Sequence, residues 1–217
     1  MTLVKICGLT RLEDALVAAE AGADMLGFIL APVSKRYVPP HQLRPIVERI
    51  KATFGSQAPL CVGVFVTPAD IDADCQASGV DVAQVVGMSS RDELSGVQAH
   101  AYLCTRPETA EQALIEAAAL QQPDLPLPLP TLQLDGFHPN LYGGTGHTQS
   151  LEVMQAVARY TPRLMLAGGL TPDNVAHFVR EVQPWAVDVA SGTEASVGIK
   201  DPQKVRAFIE AAKGVNL

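Results

Sequence analysis

The sequence predicts an α/β protein, a single (β/α)8 barrel domain spanning residues 1–217. Short apolar runs alternate with helical patterns, and this unit occurs eight times with no linker-like break. Helices between strands imply parallel neighbours joined by right-handed crossovers. The chain has 217 residues and is 47% hydrophobic, enough for one sizeable core. An open doubly wound sheet is the alternative, but a count of eight favours closure.

The elements follow in order. Leu3–Cys7 is an apolar strand, and Thr10 and Glu13 read as a capping box opening a helix from Arg11 to Ala21. Met25–Leu30 is the second strand. After a polar loop, Leu43, Ile46, Val47 and Ile50 fall on one face of a helix over 40–53. Leu60–Val66 is the third strand, and Thr67, Pro68 and Asp70 open a helix that Gly79 stops. Val82–Val86 is the fourth strand, and Ser90 with Glu93 forms a capping box for a short helix. Ala101–Thr105 is the fifth strand, and a helix covers 107–121. Prolines 126, 128 and 130 cannot donate to a ladder, so the sixth strand starts near Thr131 and ends at Leu134 or Asp135. A long glycine-bearing loop, 136–146, precedes a helix over 150–159. Leu164–Leu166 is the seventh strand, and Thr171 and Pro172 read as the N-cap and first residue of a helix to about Glu181. Ala186–Ala190 is the eighth strand, and Asp201 and Pro202 open the last helix, which runs to about Lys213.

Composition excludes several function classes. The net charge is −7 and no Lys/Arg cluster occurs, which argues against nucleic acid. The four cysteines show no C-x-x-C pairing, and the start lacks the pattern of a signal peptide, so a reduced, cytoplasmic protein is expected. No apolar run approaches the length of a membrane span. The five histidines are scattered, without a metal-binding spacing, so no metal is expected.

Closed parallel barrels carry their chemistry at the carboxyl ends of the strands. Cys7 ends the first strand, where the bland alternative is a small buried hydrophobe. Lys5 shares its strand parity, and a nearby ammonium would lower the thiol pKa, giving a nucleophile or a general base. After the second strand, Arg36 offers a forked donor for a carboxylate or phosphate, whereas Lys35 reads as a solvated cation. Asp135 ends the sixth strand. It is either a turn residue before Gly136 or, facing the barrel mouth, a carboxyl with a raised pKa suited to general acid work. Gly143–Gly146, Gly168-Gly169 and Ser191-Gly192 are small-residue turns, the last two where barrels often bind phosphate. Asp188 lies within the eighth strand, where a charge needs a partner.

Lys5-Ile6-Cys7-Gly8, Ser34-Lys35-Arg36-Tyr37, Leu134-Asp135, Gly143–Gly146, Leu166–Asn174 and Asp188–Glu194 together resemble phosphoribosylanthranilate isomerase, in order and over nearly the whole chain. The resemblance implies a TIM barrel, monomeric or homodimeric, acting in tryptophan biosynthesis on a small phosphorylated substrate. It implies the Amadori rearrangement of N-(5'-phosphoribosyl)anthranilate to 1-(2-carboxyphenylamino)-1-deoxyribulose 5-phosphate, with no cofactor. It further implies Cys7 as general base, Asp135 as general acid and Arg36 on the anthranilate carboxylate. The turns at Gly144, Thr145, Gly146, Gly168, Gly169, Ser191 and Gly192 would surround the phosphate, with Asp188 among the substrate-binding residues. The chain departs from the family at Val86, where a histidine is usual, at Tyr102–Arg106, where a lysine is usual, and after Gly146, where Phe-Asp-Trp is usual. A sugar-phosphate isomerase of histidine biosynthesis is the second enzyme reading, but that family has an aspartate in the place of Cys7. The non-enzymatic alternative is a barrel that binds a phosphosugar without turnover or with altered specificity.

Overall fold

Eight short strands pair in parallel, each with the next in sequence, and the eighth returns to the first. A computed structural model describes residues 1–67, 70–136 and 150–215 of this chain. The strands are β1 (Leu3–Ile6), β2 (Met25–Ile29), β3 (Leu60–Phe65), β4 (Val82–Val86), β5 (Ala101–Thr105), β6 (Leu132–Leu134), β7 (Leu164–Leu166) and β8 (Ala186–Val189), and they form a closed barrel. Closure is made by β1 on β8, in a register that sets Lys5 beside Asp188. The helices between them are α1 (Leu12–Glu20), α2 (Pro40–Phe54), α3 (Ile71–Ser78), α4 (Ala110–Leu120), α5 (Leu151–Tyr160), α6 (Val175–Val182) and α7 (Pro202–Lys213). None of the described helices is long and apolar enough to cross a membrane.

The expected barrel is therefore the observed one, with local differences that have physical causes. The unit after β4 is a 3-10 turn at Arg91–Leu94. Its Ser90–Glu93 capping box is present, but no further helical residues follow. Thr10 does not cap α1, because its hydroxyl donates to the carbonyl of Gly198, 2.5 Å away and far along the chain. Helix α6 starts three residues after the expected Pro172. Asn174 closes the turn instead: its Oδ1 accepts from Thr171 N–H at 2.8 Å, and its Nδ2 donates to Gly169 O at 3.0 Å. Between β8 and α7 lies an unexpected hairpin, β9 (Glu194–Ser196) with β10 (Ile199–Lys200). Pro68 of the expected α3 start lies outside the described residues.

Most of the apolar side chains pack between the outer faces of the strands and the helices, as alternation in a parallel barrel requires. Inside the barrel the layers differ in chemistry. The amino-terminal end is apolar, with Met25, Val62, Val82, Tyr102, Met165 and Ala186 packed together and Leu129 of the Leu-Pro run closing it. Above that floor is a buried polar layer. Lys5 Nζ and Gln133 Nε2 both donate to Asp188 Oδ2 at 3.1 Å, and Tyr102 Oη donates to Gln84 Oε1 at 3.0 Å. The carboxyl end above it groups Cys7, Val64, Val86 and Cys104.

Candidate active site

The carboxyl ends of the strands open on a cavity. Cys7, Arg36, Asp135, Gly168, Gly169, Asp188, Ser191 and Gly192 all line it. The residues singled out at five different strand ends thus meet in one place. Gly144, Thr145 and Gly146 lie outside the described residues.

Cys7 extends from β1 and is 6% exposed. Its thiol has room because β2 carries Gly27 opposite: a Cβ there would stand 2.7 Å from Cys7 Sγ and 3.0 Å from Lys5 Nζ. Lys5 sits beneath the thiol as the parity argument requires. The net shift nevertheless runs against the expected lowering. Burial pushes the Cys7 thiol up, and the attraction of Lys5 offsets only part of it. Lys5 itself is held firmly protonated: burial opposes its charge, but Asp188, Cys7 and Tyr102 more than compensate.

Asp135 follows β6 directly, and its backbone N–H bonds to Thr105 O at 2.9 Å, which fixes the strand end. Its Oδ1 accepts from Gly136 N–H at 2.8 Å, and its Oδ2 lies 3.9 Å from Arg106 Nε. Burial dominates over the pull of Arg106, and the carboxyl pKa is pushed up to about 6. Asp135 is therefore no mere turn residue but a carboxyl that carries a proton at mildly acidic pH.

Asp188 finds the partners that its place in an apolar strand demanded, through one oxygen only. Its Oδ2 takes Lys5 and Gln133, while Oδ1 is buried with no hydrogen-bond partner among the described residues. That oxygen is a ready acceptor on the cavity wall.

The β7 and β8 turns form one small-residue lobe. Gly168 has φ +86°, and a Cβ on it would lie 2.2 Å from Gly136 N, so the turn packs against the strand end that carries Asp135. A Cβ on Gly192 would lie 2.0 Å from Leu170 O, so the two turns also touch each other. The N–H groups of Gly168, Gly169, Ser191 and Gly192 meet no backbone acceptor outside their own element among the described residues, which leaves a nest of donors suited to an anion.

Arg36 reaches the cavity from the loop after β2, already paired. Its Nε and Nη2 donate to Glu194 Oε1 and Oε2 at 2.6 and 2.7 Å. Glu194, Lys200, Gln84 and Gln133 were not singled out from the sequence. The signal for the glutamines was a polar residue within an apolar strand. Glu194 and Lys200 belong to a hairpin too short to show alternation.

A family model described as N-(5'-phosphoribosyl)anthranilate (PRA) isomerase matches residues 4–211. A relative from Citrifermentans bemidjiense, named N-(5'-phosphoribosyl)anthranilate isomerase, is 40% identical over 220 residues, covering 100% of both chains. One of the same name from Pelobacter propionicus is 36% identical over 215 residues, covering 98% of this chain and 96% of its own. The crystal structure of phosphoribosyl anthranilate isomerase from Thermotoga maritima superposes with a TM-score of 0.83 at 33% identity, covering 99% of this chain and 100% of the other. A second structure of such an isomerase, in complex with reduced 1-(o-carboxyphenylamino)-1-deoxyribulose 5-phosphate, superposes at 0.80 with 31% identity over 99% of this chain and 100% of its own.

Proposed function

The chain belongs to the N-(5'-phosphoribosyl)anthranilate isomerase family, and from that premise we propose that Cys7 and Asp135 carry the reaction of its site. The protein is an isomerase of tryptophan biosynthesis that converts N-(5'-phosphoribosyl)anthranilate to the open-chain deoxyribulose phosphate. The observation that carries the assignment of roles is a carboxyl with a raised pKa and a thiol on two walls of one cavity, on strand ends three strands apart around the barrel.

Asp135 donates its proton to the furanose ring oxygen, and the bond from C1' to that oxygen breaks. The anthranilate nitrogen supplies its lone pair, leaving an iminium at C1'. Cys7 as thiolate then removes the C2' proton, and the electrons of that bond form the C1'–C2' double bond and neutralise the iminium. The resulting enolamine tautomerises to the ketone. Burial disfavours the thiolate, and the Lys5 ammonium offsets part of that. The thiol gives up its proton to solvent through the cavity mouth, and the iminium that forms beside the sulfur favours the charged form, because a cation at contact distance stabilises it. Each proton transfer is worth roughly 10²–10⁴-fold.

Arg36 takes the anthranilate carboxylate in this reading. The donor nest of Gly168, Gly169, Ser191 and Gly192 takes the phosphate, and the family resemblance adds Gly144, Thr145 and Gly146 as phosphate-binding residues. Oδ1 of Asp188, which has no partner among the described residues, accepts from a sugar hydroxyl. The phosphate supplies binding energy remote from the reacting carbons. The chain acts as one domain, as monomer or homodimer, in the cytoplasm, on a small molecule and not on nucleic acid. A fluorescence assay of anthranilate-riboside consumption by the purified chain tests the roles. Cys7→Ala and Asp135→Asn each abolish turnover while the fold survives. Turnover by either at the parent rate overturns its role, and binding without turnover by the parent chain leaves a phosphosugar-binding barrel.

A further inference from the structure

Arg36 is held by a device that the reaction itself does not require. Glu194 engages the side of the guanidinium formed by Nε and Nη2, and both groups are largely buried, the side chains being 12% and 6% exposed. A carboxylate on that edge leaves the outer edge, Nη1 with the second Nη2 proton, free for another, and Nη1 has no acceptor among the described residues. Glu194 is fixed in turn. Its Oε1 accepts from Gly198 N–H at 3.2 Å and lies 3.7 Å from the buried Lys200 ammonium, which itself donates to Ala190 O at 2.7 Å. The aliphatic stem of Arg36 is also seated. Gly8, next to the thiol, would put a Cβ 2.7 Å from Arg36 Cδ, so only glycine admits the side chain there.

We propose that Glu194 is a positioning residue for substrate specificity: it turns the outer edge of Arg36 toward the cavity, so that the site selects a ligand bearing an aromatic carboxylate. Without Glu194 the guanidinium is free to swing on its flexible stem, and one fixed bidentate contact becomes a set of single ones. The buried Glu194 charge also cancels that of Arg36, so an arginine with no ligand is not left as a bare cation at the rim. Lys200 links this arrangement to Ala190, the residue before the Ser191-Gly192 turn. The two ends of the ligand are thus read by parts of one hairpin-anchored unit. The proposal rests on the reading that Arg36 receives the substrate carboxylate.

The test uses the full chain and two ligands, the reduced carboxyphenylamino-deoxyribulose phosphate and its anilino counterpart lacking the carboxylate, with binding measured by calorimetry. Glu194→Gln keeps the volume and the bond to Gly198 but turns one acceptor against Arg36 into a donor. It is expected to weaken the carboxylated ligand by about tenfold or more while changing the anilino ligand by about twofold at most. Its KM rises more than its kcat falls, and Glu194→Asp recovers part of the loss. Thermal unfolding of each variant establishes that it is folded, and Glu194→Asp provides the comparison if Glu194→Gln is not. Equal weakening of both ligands, or of neither, overturns the proposal. Arg36→Gln separates the two levels. If it discriminates between the ligands and Glu194→Gln does not, Arg36 keeps its role and Glu194 loses its own. If Arg36→Gln does not discriminate, both fall together.

Discussion

Cys7 and Asp135 were visible in the sequence because each ends an apolar strand at the face where barrels do chemistry. Parity also placed Lys5 under the thiol. The sign of the thiol shift was not legible, because it depends on how deeply burial outweighs one ammonium, and only packing sets that. For Asp135 the folded pKa of about 6 lies above the unconstrained 3.8. The fold therefore favours the protonated carboxyl. The stabilisation is complete below the unfolded value and is lost as pH rises through about 6, where ionising a buried carboxyl costs up to ~3 kcal/mol. Asp135→Asn removes that cost, so its melting temperature should exceed the parent's at about pH 8 and match it at about pH 4. A lower melting temperature at the higher pH would contradict the raised carboxyl. The same variant should lower kcat by at least about 10²-fold, the magnitude of a lost general acid. The alkaline limb of kcat/KM, which Asp135 sets, should disappear with it. Stability gained where activity is lost is the expected exchange at a site shaped for reaction.

At the scale of elements, the eight strands came from short apolar runs bounded by glycine, proline and capping residues, and the observed strands lie within those runs. The caps were less legible. Thr10 and Thr171 each have the local pattern of an N-cap, but Gly198 takes the Thr10 hydroxyl and Asn174 closes the turn at Thr171. A capping pattern states what a hydroxyl can do locally, and a partner brought in by the fold can outbid it. The glycine turns act as a unit. Gly192→Ala forces a Cβ to within 2.0 Å of Leu170 O, so the β8 turn must move off the β7 turn. The nest of N–H donors then opens, and inhibition by inorganic phosphate should weaken by about tenfold, the loss of one charged hydrogen bond. Unchanged phosphate inhibition would place the anion elsewhere. Asn174→Ala loosens the same lobe from its other side and should raise KM more than it lowers kcat, measured in the same steady-state assay.

For the whole molecule, closure of the sheet and the buried polar layer are one event. Lys5 and Asp188 are register partners across the β1–β8 seam, and their ion pair at 3.1 Å lies inside the barrel, away from water. Breaking a buried pair leaves one charge uncompensated, so Lys5→Met should cost about 3–5 kcal/mol in urea unfolding. Lys5→Met with Asp188→Leu should recover most of that loss, although neither variant retains activity. Additive costs in the double variant would mean that the two charges are not coupled. The low-polarity floor beneath, with Tyr102, Met165 and Leu129, keeps water out from below and makes the pair matter.

What the sequence determined by itself was the order and number of elements and the identity of the residues at the strand ends. These are properties of local periodicity and turn chemistry, which neighbouring residues settle among themselves. What only the tertiary structure decided was how those residues face one another. It set the burial that raises both Cys7 and Asp135, the Asp188 oxygen without a partner among the described residues, and the seating of Arg36 between Gly8 and Glu194. Arg36 and Glu194 are separated by most of the chain, and nothing in the sequence pairs the forked donor of Arg36 with Glu194. Their distance, and hence their electrostatics, exists only after the barrel has closed.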